Sequence, residues 1–152
     1  MVFFSWPDAI ETIEPPLTMG RAPEMPPPVR VVVDKKYKMV IVFPRDVEMS
    51  KGKSIAQGSH AAVLCYEIAR MRFPNAVRYW LNHGYKKIVL EIDDTGALEN
   101  LYDVALERGL PVVKQVDAGL TELTPNTPTC IAIFGDEINI NQLTRRLPLM
   151  KE

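Results

Sequence analysis

Two histidines, two cysteines and a net charge of −1 leave this 152-residue sequence short of what several functions require. His60 and His83 stand far apart, and Cys65 and Cys130 form no Cys-x-x-Cys pair, so no zinc-ligand spacing is present. Both cysteines lie in apolar runs, which reads as buried free thiols in a reducing compartment. No stretch approaches the roughly 18 apolar residues of a membrane span. The first residues lack the basic start and apolar run of a signal peptide and are too acidic for a typical transit peptide. The expected location is therefore the cytoplasm. A charge near zero excludes a globally basic nucleic-acid binder, so any such partner must meet a local patch.

A glycine is also missing where it would decide a function. Gly52-Lys53-Ser54 ends like a nucleotide-binding P-loop, between a strand-like and a helix-like run. That motif needs another glycine five residues before Gly52, so that successive N–H groups can wrap the phosphates. Val47 stands there, and a β-branched residue resists such a backbone. A triphosphate cradle is excluded, and the two lysines need another role.

What the chain does have is uneven. Seven of its thirteen prolines fall within residues 1–36, which reads as an N-terminal extension without most regular structure. The compact domain is expected over residues 37–152. There "KMVIVFP" reads as a buried strand, and a helix follows from Ser54 to about Arg72. "PNAVRYWLNHG" has the proline start and glycine stop of a short helix. "KKIVLEI", "PVVKQVDAG" and "TCIAIFG" supply three more strands. A helix over "TGALENLYDVALERG" places Leu98, Leu101 and Val104 or Ala105 on one face, and residues 136–146 suggest a last helix. Alternating strands and helices predict a single-domain α/β fold. The expected form is a small, mixed, mostly parallel four-stranded sheet with helices on both faces, a three-layer α/β/α arrangement.

In such sheets ligands bind beyond the carboxyl ends of the strands, and two segments meet that description: the lysine turn and "DAGLTEL". Lys53, Gln57 and His60 recur at i, i+4 and i+7 and share one helix face. Taken alone they read as a solvated lysine and two polar groups satisfying nearby backbone. Lys51 and Lys53 oppose the macrodipole at a helix start unless they and the free N–H groups face an anion together. Asp117 at a strand end suits either a turn cap or a general base balanced by a lysine. Thr121 suits a turn as well as a site, and Asp46 and Glu122 share that ambiguity. Tyr79, Trp80 and Tyr85 suit base stacking, though packing of a short helix on the sheet is the plainer reading.

"MSKGKSIAQGSHAA", followed by "DAGLTEL" and "TPNTPT", resembles the peptidyl-tRNA hydrolases of the archaeal and eukaryotic type. The likeness spans about residues 37–150 and includes "GYKKIVLEI" and the closing "LTRRLPL". It implies an α/β fold with a small mixed sheet, a homodimer, and hydrolysis of the ester joining a peptide to the 3′ ribose of tRNA. Neither a metal nor an organic cofactor is implied. The family's catalytic lysine, aspartate and threonine fall on Lys51, Asp117 and Thr121. Its substrate-contacting lysine, glutamine and histidine fall on Lys53, Gln57 and His60. Two positions depart from the pattern. Glu48 replaces a frequent lysine, and Asn126 replaces a frequent glycine, which asparagine can imitate by adopting a left-handed backbone. Residues 37–152 carry fourteen Lys and Arg against fourteen Asp and Glu, so tRNA affinity is expected to rest on a patch around Lys51 and Lys53.

Overall fold

A computed structural model describes residues 35–119, 123 and 126–151. The extension expected over residues 1–36 lies almost wholly outside the described residues, as do Thr121 and Glu122.

Strand β1 (Tyr37–Pro44) is apolar on both faces because it is interior to the sheet, and Pro44 closes it. With β2 (Lys87–Ile92), β3 (Val112–Val116) and β4 (Pro128–Asp136) it forms one sheet in the order β2-β1-β4-β3. The period-2 alternation of β1 sorts its side chains between two cores. Met39, Ile41 and Phe43 pack with α1 (Lys51–Arg72) and α2 (Pro74–Asn82). Val40 and Val42 pack with α3 (Thr95–Glu107) and α4 (Glu137–Thr144). Met39, Val40, Val42, Ile131 and Ile133 are wholly buried. Full burial of such a side chain stabilises by about 1.5–3 kcal/mol relative to exposure, so these central strands dominate cohesion.

The sheet is mixed but not mostly parallel, which corrects the expectation. Only β1 and β2 pair in parallel, whereas β4 runs antiparallel to both of its neighbours. The alternating pattern misleads for a definite reason. β1, β2 and β3 do share one direction, but β4 inserts between β1 and β3. The β3–β4 connection, residues 117–127, is shorter than the dozen or more residues of a parallel crossover, so β4 returns antiparallel beside β3. Helices on both faces are as expected.

Local chemistry sets the helix starts. α1 begins at Lys51, earlier than the expected Ser54, because the Ser50 hydroxyl accepts from the Lys53 N–H at 3.2 Å. Asp94 caps α3 by accepting from the Ala97 N–H at 2.7 Å. Asp46 accepts from the Thr95 N–H and hydroxyl at 3.1 and 2.9 Å, so it braces that helix start. On α3 the buried set is Leu98, Leu101 and Ala105, with Ala105 taking the place left open between it and Val104.

The aromatic residues of α2 serve mainly as packing. Trp80 is buried edge-on against Phe134, and its indole N–H donates to the Lys86 carbonyl at 3.0 Å. Tyr79 lies between Tyr37 and His83, while Tyr85 is exposed. Cys65 and Cys130 are both free and buried, and burial pushes each thiol up to about 12. That leaves no thiolate for chemistry near neutral pH. Among the described residues no helix is long and apolar enough to cross a membrane.

Candidate active site

The carboxyl ends of β1 and β3 open at one end of the sheet, and β4 starts there because it runs the other way. β1 leads through residues 45–50 into the first turn of α1, and β3 leads into Asp117. A register shift between Gln115 and Val116 ends the regular ladder just before Asp117. Such irregularities re-aim the side chains that follow them.

Asp117 is 2% exposed, and it is held from three directions. Its N–H donates to the Thr127 carbonyl and its carbonyl accepts from the Asn126 N–H, both at 2.8 Å. Asn126 sits at φ 64°, so asparagine does adopt the left-handed backbone required at this position. Asp117 Oδ2 accepts from the Gly119 N–H at 2.8 Å, and Oδ1 pairs with the Lys53 ammonium. The side chains of Lys53 and Asp117 are 11% and 3% exposed, so this ion pair is shielded from water.

One turn along α1, Gln57 is buried beneath the pair. The Thr129 hydroxyl donates to Gln57 Oε1 at 2.7 Å and lies 3.2 Å from the Gln115 carbonyl. The Cys130 thiol approaches the Gln57 carbonyl at 3.5 Å. Thr129 therefore locks the start of β4 to α1 directly behind the Lys53–Asp117 pair. Sequence reasoning missed it. The available signal was a hydroxyl opening a buried apolar run, in "PTCIAIF".

The structure thus brings Lys53, Gln57 and Asp117 together. It does not bring the two lysines together. Lys51 and Lys53 are two residues apart, or about 200° around the helix, and Lys51 is exposed beside a groove on the neighbouring face. His60 is exposed, farther along α1. Thr121 lies outside the described residues. Among the described residues no three His, Cys, Asp or Glu side chains gather as a metal-binding set.

Residues 37–150 match the family model described as "Peptidyl-tRNA hydrolase PTH2". The chain belongs to the PTH2 family. A peptidyl-tRNA hydrolase of Pyrobaculum aerophilum is 42% identical over 118 residues, covering 75% of this chain and 98% of that one. One from Methanocaldococcus jannaschii is 39% identical over 114 residues, covering 74% and 99%. A probable peptidyl-tRNA hydrolase 2 of Schizosaccharomyces pombe is 39% identical over 119 residues, covering 78% of this chain and 58% of that protein. The PTH2 match runs from the first residue of β1 to Met150, so every site element named above falls inside it.

Proposed function

We propose that this chain hydrolyses, in the cytosol, the ester between the peptide and the 3′ ribose of peptidyl-tRNA. The buried Lys53–Asp117 pair at the mouth of the sheet, within the family-matched region, is the observation that carries the reading. Asp117 orients a water and receives its proton as the water attacks the ester carbonyl. Lys53, given a substrate-contact role by the resemblance, is better used here as the cation balancing Asp117. Lys51 and the N-terminal N–H groups of α1 stabilise the oxyanion from the open side. Thr121 positions water or substrate, and His60 completes the substrate side. Gln57, given a substrate-contact role by the resemblance, is better used here as a buried brace joined to Thr129. The departing ribose oxygen takes up the proton. The homodimer implied by the resemblance belongs to this reading. Val63, Leu64 and Met71, exposed along α1, offer it an apolar face, and sedimentation equilibrium measures it.

Hydrolysis of N-acetyl-aminoacyl-tRNA in ¹⁸O-labelled water tests the chemistry. Attack on the carbonyl puts one heavy oxygen into the released carboxylate and none into the tRNA. Label in the ribose, or no release above the uncatalysed rate, would overturn the reading.

A further inference from the structure

On the α1 side of the sheet, the helices pack over β1, β4 and β3 and leave β2 bare. Lys87, Val89 and Glu91 of β2 lie beside Met39, Ile41 and Phe43 in the register and continue that face, with Trp80 of α2 reaching only Lys87. Val89 is 37% exposed there. The edge of β2 is closed by the chain end, since the Glu91 N–H donates to the Pro148 carbonyl at 2.9 Å and the Met150 N–H to the Val89 carbonyl at 3.0 Å. The result is a groove of about 1370 Å³, larger than the roughly 300–1,000 Å³ of small-ligand pockets. It begins at Ser50 and Lys51, on the other side of the helix start from Lys53, so it meets the proposed chemistry at Lys51, the residue given the oxyanion.

We infer that this groove holds the peptide moiety of the substrate, an extended acyl chain with apolar side chains. The inference rests on the proposed ester hydrolysis and says where the acyl half of that ester lies. Its floor is Ile41, Phe43, Val89 and Ile55, and Met49 and Met150 flank it. Methionine is unbranched and polarizable, which suits a surface that must accept many side-chain shapes. The rim is mixed, with Arg45, Lys51, Lys87 and Lys151 against Glu48 and Glu91, so the apolar floor, not the charge, argues for the acyl half. Glu48 and Glu91 place carboxylates along the groove, and Arg45 is already engaged by Glu91 and Asp93 at 3.0 and 3.1 Å. Lys87 lies over the Trp80 and Tyr85 rings, at 5.0 and 4.7 Å from their centroids. An acyl chain with apolar side chains covers that floor, which a sugar-phosphate backbone would leave uncovered.

The test uses the full chain and one tRNA carrying either N-acetyl-glycine or an N-acetylated leucine-rich tetrapeptide ending in glycine. The residue at the ester is then the same in both. Val89→Asp and Ile55→Asp should raise KM for the tetrapeptide substrate about tenfold or more, the scale of one lost apolar contact. KM for the N-acetyl-glycyl substrate should stay within about twofold. Val89→Ser serves as a second variant if the charge disturbs folding, with the same selectivity expected. Equal weakening of both substrates, together with weaker inhibition by deacylated tRNA, would put RNA in the groove and overturn the inference. No change in either KM would overturn it too. A wild-type chain that cleaves neither substrate fails at the hydrolase reading itself, and the groove's role falls with it.

Discussion

Asp117→Asn should lower turnover of peptidyl-tRNA by about 10²–10⁴, the contribution of a positioned general base. The substitution conserves shape. The amide oxygen can still accept from the Gly119 N–H, and the backbone bonds to Asn126 and Thr127 are untouched. What it removes is the proton acceptor and one negative charge. Binding of deacylated tRNA should therefore be unchanged or slightly tighter, because a carboxylate near the RNA has gone. Single-turnover rates and filter binding on the same preparations separate the two effects. A variant that turns over at the wild-type rate would remove Asp117 from the chemistry.

Lys53→Met should destabilise the fold by about 3–5 kcal/mol, because it leaves the Asp117 carboxylate buried without its cation. The stem of the lysine is replaced at similar volume, so packing contributes little to the loss. Adding Asp117→Asn should recover most of that stability, since both charges are then gone and two neutral groups remain. Urea unfolding of the wild type, both single variants and the double variant closes the cycle. Additive losses would mean that the pair contributes no coupling and that Asp117 is held by its other contacts.

Hydrophobic pattern exposed most of this fold in advance. The continuous run "KMVIVFP" signalled an interior strand, and Leu98, Leu101 and either Val104 or Ala105 signalled a buried helical face, completed by Ala105. Strand direction was not readable in the same way. Period-2 burial looks alike in parallel and antiparallel neighbours, and only the short β3–β4 connection distinguished them. Which helix face meets which strand end is likewise a tertiary fact. The i, i+4 spacing put Lys53 and Gln57 on one side, but only the packing of α1 over β4 and β3 aimed that side at Asp117 and Thr129. For the same reason the two lysines were separable only once the helix was seated. Lys51 stayed on the open face with the groove, and Lys53 turned inward.

The most direct test of the central claim is single-turnover release of N-acetyl-aminoacyl groups from tRNA by the wild type, Asp117→Asn and the Lys53→Met/Asp117→Asn double variant. If both residues act in one step, the double variant should be little slower than Asp117→Asn alone, and both should fall about 10²–10⁴ below the wild type. A folded double variant that releases the acyl group at the wild-type rate would contradict the account and leave the Lys53–Asp117 pair a structural feature only.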